Sequence, residues 1–194
     1  LNEAKRLASE GVKELVLVAQ ETTLYGKDLT GEKQLPLLLH ELCKIEGIEW
    51  IRLLYCYPEE ITDELIKVIK TEEKVCNYID MPIQHSENRI LQRMGRRTSR
   101  EDLVAVIKKL RKEIPDITIR TTLITGFPGE SQEDHEGLMN FVEECQFDRL
   151  GVFTYSPEED TLAATFEDQI DEEVKEERRD ELMSLQQEIS YEHT

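Results

Sequence analysis

Closely spaced cysteines are missing from this sequence. The four present, Cys43, Cys56, Cys76 and Cys145, lie 13, 20 and 69 positions apart. No CxxC or CxxxCxxC can be written from them, so neighbouring thiolates cannot build a metal site. They read as small apolar core residues of a protein in a reducing, cytoplasmic compartment. Long apolar runs are missing too, none approaching the roughly 18 residues of a membrane-spanning helix. Positive charge is scarce: 24 Lys and Arg stand against 42 Asp and Glu, for a net charge of −18. That deficit excludes a general nucleic-acid coat and favours basic partners. G-x-G-x-x-G, phosphate-loop, G-x-S-x-G and H-E-x-x-H patterns are all absent, and no Ser/His/Asp set is legible. Leu1 opens directly into a charged amphipathic pattern, from which no secretory leader is expected. It stands where an initiator methionine would, and we expect the chain to begin inside a longer protein.

What is present is an apolar rhythm. The 194 residues are 39% hydrophobic, enough to bury one real core. Leu1, Ala4, Leu7 and Ala8 mark a helix face that stops at Gly11. Val12 to Ala19 is an almost continuous aliphatic run, as expected of a strand buried on both faces of a parallel sheet. Leu35, Leu38, Leu39, Leu42 and Ile45 then recur at helical spacing up to Gly47. Further strands are expected at 50–57, 78–81, 117–124 and 149–153, with intervening helices. Thr62, Ser99 and Ser131 cap three of them, the last two in capping-box-like patterns ending in Asp102 and Asp134. One strand per 28 to 40 residues with a helix between is a βα repeat, which implies a parallel sheet with right-handed crossovers. A closed eightfold barrel takes about 250 residues, so five strands predict an open, incomplete (β/α) barrel. Residues 1–167 form its core on this reading. Residues 168–194 form a C-terminal helix with a thin stripe of Val174, Leu182, Leu185 and Ile189, leading toward a further domain.

In parallel βα folds ligands gather at the C-terminal ends of the strands. Gln20-Glu21 stands at the first end, able to accept hydrogen bonds from a ligand ammonium; an ordinary polar loop is the plain alternative. Gly126-Phe-Pro-Gly129 followed by a helix start reads as a turn. Arg89, Arg93, Arg96, Arg97 and Arg100 would form one positive stripe if helical, either a solvated face or a site for a carboxylate or phosphate. His85 follows Gln84 at a strand end and could act as acid, base or ligand, or simply as a packing residue. His40, His135 and His193 suggest nothing.

Taken in order, Val16-Leu-Val-Ala-Gln-Glu-Thr-Thr-Leu-Tyr-Gly26, Tyr78-Ile-Asp-Met-Pro-Ile-Gln-His85, Arg89-Ile-Leu-Gln-Arg-Met-Gly-Arg96, Thr121-Thr-Leu-Ile-Thr-Gly-Phe-Pro-Gly-Glu130 and Phe147-Asp-Arg-Leu-Gly-Val-Phe-Thr-Tyr-Ser-Pro157 resemble the radical S-adenosylmethionine (SAM) methylthiotransferases. The resemblance covers nearly the whole chain. Two branches compete. Asp80-Met-Pro-Ile-Gln-His85 and Phe147-Asp-Arg-Leu-Gly-Val-Phe153 look like the branch that adds a methylthio group to the β-carbon of an aspartate in a small-subunit ribosomal protein. The alternatives are the tRNA-adenosine branch, which usually has Gln-Ser-Gly after this strand, and a non-catalytic ribosome-associated module. The acidic charge agrees with a basic protein substrate.

The resemblance implies roles. Gln20 and Glu21 would hold the methionyl ammonium of SAM, Gln84 and Arg96 its ribose and carboxylate. Thr122 and Ile124 would pass the adenosine, and Tyr55 would be a further contact. His85, Arg93 and Arg97 would face substrate or ribosomal RNA. No catalytic residue or metal ligand is assigned. The implied cofactors are SAM and two [4Fe–4S] clusters whose ligands lie outside this chain, with an electron donor such as flavodoxin or ferredoxin. The family's CxxxCxxC is absent, and we expect it upstream of Leu1. Thr161-Leu162 departs from a usual Thr-Pro.

Overall fold

The computed structural model describes residues 1–18, 35–54, 56–58, 61–158 and 161–193, leaving aside the side chain of Val18. Five strands alternate with helices along the chain. They are α1 (Asn2–Ser9), β1 (Glu14–Val18), α2 (Leu35–Cys43), β2 (Trp50–Leu54), α3 (Asp63–Thr71) and β3 (Val75–Asp80). There follow α4 (Asn88–Arg93), α5 (Arg100–Glu113), β4 (Thr118–Thr125), α6 (Gln132–Cys145), β5 (Arg149–Thr154) and α7 (Glu172–Glu192). The strand order is β1-β2-β3-β4-β5, that of an open run of βα units rather than a closed barrel.

Two compact units divide the chain: residues 1–81 with 108–119, and residues 82–107 with 120–194. In the first, β1 pairs in parallel with β2, and β2 with β3. The aliphatic strand residues Leu15, Ile51, Leu53 and Ile79 are buried under Leu39, Leu42, Leu65 and Ile69 of α2 and α3, the core a parallel layer needs on its helix-covered face. The Thr62 hydroxyl accepts from the Leu65 amide at 3.2 Å, capping α3. β2 ends at Leu54, earlier than its apolar pattern suggests, yet Cys56 N still donates to Asp80 O at 2.8 Å. β3 starts at Val75, three residues before the expected Tyr78, because Cys76 and Asn77 hide the strand in the sequence.

In the second unit β4 and β5 pair in parallel over six register positions, from Arg120 with Arg149 to Thr125 with Thr154. Burial along β4 alternates: Ile119, Thr121, Leu123 and Thr125 are buried, while Arg120, Thr122 and Ile124 lie on the open face. The period of two follows from the pleat. Ser131 and Asp134 form a complete capping box on α6. The Ser99 hydroxyl caps α5 in the same way, accepting from Asp102 N at 3.1 Å.

The arginine stripe is not one helix. α4 stops at Arg93, and Gly95 takes φ +76°, a left-handed conformation open to glycine at little cost. Residues 96–99 belong to no helix or strand before α5 begins, so Arg89, Arg93, Arg96, Arg97 and Arg100 do not share one helix face. α7 also differs from expectation. Leu182 and Ile189 are buried as the stripe predicts, but so are Lys175, Arg178 and Gln186. Each of these polar groups finds a backbone carbonyl: Lys175 Nζ donates to Tyr155 O at 2.9 Å, Arg178 Nη1 to Glu130 O at 3.0 Å and Gln186 Nε2 to Phe147 O at 2.8 Å. Burial of such groups is tolerable because the partners are present.

Candidate functional site

The site builds from the segment that leaves β3. Gln84 makes a single parallel bridge with Leu123 of β4: its amide donates to Thr122 O at 2.9 Å and its carbonyl accepts from Ile124 N at 2.8 Å. Its φ is +69°, a left-handed conformation that costs a non-glycine residue roughly 1–2 kcal/mol. Such strain persists only where the surroundings over-determine it. Here two ladder bonds hold the residue on both sides, and its half-buried side-chain amide bonds to no described residue. Arg96 reaches the same segment, its Nη2 donating to Pro82 O at 3.1 Å. Thr122 and Ile124 flank the bridge on the open face of β4. In register beside them on β5 stand Gly151 and Phe153. A Cβ at Gly151 would meet only ordinary contacts, Phe153 Cε2 at 3.7 Å and Thr122 Oγ1 at 4.0 Å, so the Phe153 ring lies beside Gly151 on this face.

Beneath this face lies a buried polar knot. Glu87 N–H donates to His85 Nδ1 at 3.1 Å, which leaves the ring proton on Nε2 to donate to Glu130 Oε2 at 2.7 Å. The other oxygen of Glu130 accepts from Gly126 N at 3.1 Å and from Arg178 Nη1 at 2.7 Å. Burial pushes the Glu130 carboxyl up, but the hydrogen bonds from His85, Gly126 and Arg178 more than offset it and hold it below the usual carboxylate range. His85 thus spends both ring nitrogens inside the fold. Arg93 donates to Pro128 O at 3.1 Å and Asp168 Oδ1 at 2.7 Å, with its guanidinium 4.6 Å from the Phe166 ring centroid. Arg97 is exposed.

The structure therefore brings Gln84, Arg96, Thr122 and Ile124 to one strand-end segment. Gln20, Glu21 and Tyr55 lie outside the described residues. Glu130, Arg178 and Lys175 escaped the sequence reading as site-building residues. Glu130 followed an obvious turn and gave a weak signal; Arg178 sits in an unpatterned run of charges and gave none. Among the described residues no group of three His, Cys, Asp or Glu side chains could hold a metal ion.

Comparison with known proteins decides the family. The sequence profile of the radical SAM superfamily matches residues 1–142. The chain belongs to the radical SAM superfamily. Within it, the chain is 64% identical over 192 residues to the ribosomal protein uS12 methylthiotransferase RimO of Lachnoclostridium phytofermentans, covering 99% of this chain and 44% of that protein. It spans less than half the length of that relative. The crystal structure of methylornithine synthase (PylB) shares the fold at TM-score 0.61 and 17% identity, over 96% of this chain and 53% of that one. A cobalamin- and [4Fe–4S]-bound radical SAM methyltransferase, TsrM from Kitasatospora setae, does so at TM-score 0.59 and 16% identity, over 79% of this chain and 29% of its own.

Membership of this superfamily implies SAM and a [4Fe–4S] cluster. The described residues fit the first: the half-buried Thr122 and Ile124 on the open face of β4, and the side-chain amide of the strained Gln84 beside them, suit a flat nucleoside with polar edges. They do not fit the second, since no ligand set for a cluster exists among them.

Proposed function

We propose that this chain is the SAM-holding part of an enzyme that adds a methylthio group to the β-carbon of an aspartate in ribosomal protein uS12. The identity of 64% across 99% of the chain to a protein of that name carries the reading. Gln84 and Arg96 bind the ribose and amino-acid end of SAM, and Ile124 and Thr122 form the wall against its adenosine. Bound SAM supplies the hydrogen-abstracting power and the methyl group of this reaction class. The chain's own residues orient it: the Gln84 bridge fixes the loop to β4, and the His85–Glu130–Arg178 knot holds that loop against the Gly126 turn. Gln20, Glu21 and Tyr55 complete the grip, and Arg93 and Arg97 face substrate or ribosomal RNA. A second [4Fe–4S] cluster, a flavodoxin- or ferredoxin-type electron donor and a cytoplasmic setting belong to this proposal, as does the division into a core of residues 1–167 and a tail helix.

The test uses the full-length enzyme that contains this chain, reconstituted with iron and sulfide and supplied with SAM, reductant and either uS12 or tRNA. Mass spectrometry should find one methylthio group on a uS12 aspartate. Methylthiolated adenosine with unmodified uS12 would assign the tRNA branch instead, and modification of neither would favour a non-catalytic module.

A further inference from the structure

We propose that the groove between α6 and α7 is a docking site for a lysine- or arginine-rich segment of the ribosomal protein substrate; this rests on the functional reading above. The groove holds about 390 Å³ between two helices that pack side by side. Its floor is apolar and half-buried, made by Met139 of α6 and Leu185 of α7. Its rim is acidic: Asp180, Glu181 and Glu188 stand exposed there, with the Ser184 hydroxyl among them. Among the described residues no Lys or Arg lines it.

An exposed helix face ordinarily interleaves charges of both signs, which support each other three and four residues apart. α7 does not. Its cations are Lys175, Arg178 and Arg179, and the first two turn inward, Lys175 to Tyr155 O and Arg178 to Glu130. The carboxylates are left outside. Glu177 and Glu181 stand four apart, a like-charge spacing that destabilises a helix. Glu136 and Glu143, three before and four after Met139, carry the acidic rim along the same face of α6. The side chains of Glu136, Glu143 and Glu188 form no ion pair or hydrogen bond with any described residue. Asp180 meets only Arg179, at 3.6 Å. Glu181 is held from beneath, its Oε2 accepting from Nε2 of the buried His135 at 2.7 Å. Helix stability does not call for this one-signed rim.

Lysine and arginine are the side chains that match it. Their aliphatic stems cover an apolar floor while the charged heads reach a carboxylate rim, and a methionine in the floor adapts to either. Phosphate and acidic peptides are repelled. A ribosomal protein works against RNA phosphate and so carries the basic surface that fits. The groove opens to solvent from the helix layer, whereas Thr122 and Ile124 lie on the open face of β4. Contact there adds affinity by tethering the substrate and leaves SAM untouched.

The test measures uS12 binding without turnover, by fluorescence anisotropy of labelled uS12 on the full-length iron–sulfur enzyme with SAM and no reductant. The double variant Asp180→Lys, Glu188→Lys should bind uS12 at least about tenfold more weakly at low salt. The difference should shrink as salt rises, and SAM affinity should stay at the wild-type value. Leu185→Ala, which keeps every charge, should lose about threefold or more at either salt. A control, Glu3→Lys with Glu46→Lys, makes the same change of net charge at other exposed positions and should bind within about twofold of wild type. A double groove variant or a Leu185→Ala variant that binds like wild type overturns the assignment. So does a control that loses as much as the groove variant, since net charge would then be the cause. Failure of the functional reading shows separately, as a wild-type enzyme that leaves uS12 unmodified when reductant is supplied, and it removes this inference with it.

Discussion

His85 and Glu130 meet through a 2.7 Å hydrogen bond with both side chains fully out of water. The imidazole is held as the tautomer that donates from Nε2, because Nδ1 accepts from the Glu87 amide. Arg178 closes the knot from α7, at 2.7 Å from the other carboxylate oxygen. The strained Gln84 is the residue immediately before this anchor.

Glu130→Gln should therefore be costly. Removing one partner of a buried charged pair leaves Arg178 uncompensated, an effect of about 3–5 kcal/mol. Urea denaturation should show a lower midpoint at an unchanged slope. The pH dependence has a definite sign. Glu130 titrates below its ordinary value of 4.5 in the folded state, so its contribution is fully present above that value. It is lost as pH falls through the lower folded pKa. Wild type should lose stability in that acid window relative to Glu130→Gln, and parallel profiles would count against the knot.

Gln84→Gly separates folding from ligand binding. Glycine adopts φ +69° without the left-handed penalty, so stability should hold or rise by about 0.5–1 kcal/mol. SAM affinity should fall, because the side-chain amide is gone. A variant that binds SAM as well as wild type would remove Gln84 from the site.

Gly126→Ala should unfold more easily. Gly126 has φ +75°, and a Cβ there would collide with the Cγ of the buried Lys175. Lys175 is tied to Tyr155 O and Glu172, so it cannot simply swing away. A loss of more than about 1 kcal/mol is expected in thermal melts, with α7 becoming the first site of limited proteolysis.

Much of this architecture was legible in the sequence, because its signals are local. Thr62, Ser99 and Ser131 cap the helices they precede, and the aliphatic runs set the strands to within a few residues. What escaped was non-local. Arg178 pairs with Glu130 across 48 positions, and nothing in a Glu-Glu-Arg-Arg run shows which cation turns inward. The arginine spacing is compatible with one helix, but the helix ends at Arg93 and Gly95 takes a left-handed turn, which spacing alone does not show. Gln84 and Arg96 entered through family resemblance; only the structure shows the backbone bridge and the Pro82 carbonyl that bring them together.

Cys43 should resist alkylation. Burial pushes its thiol up to about 11, with the nearby Glu72 carboxylate adding to the shift. At pH 8 roughly one molecule in a thousand carries the thiolate. Iodoacetamide labelling followed by peptide mapping should find it largely unmodified in the native state and modified after unfolding.

SAM affinity of an Ile124→Glu variant of the full-length enzyme tests the open face of β4 most directly. Ile124 lies half-buried on that face, hydrogen-bonded through its amide to Gln84. Equilibrium dialysis with labelled SAM should show at least about a tenfold loss of affinity with the urea midpoint nearly unchanged. Wild-type affinity in that variant would place SAM elsewhere and contradict the account.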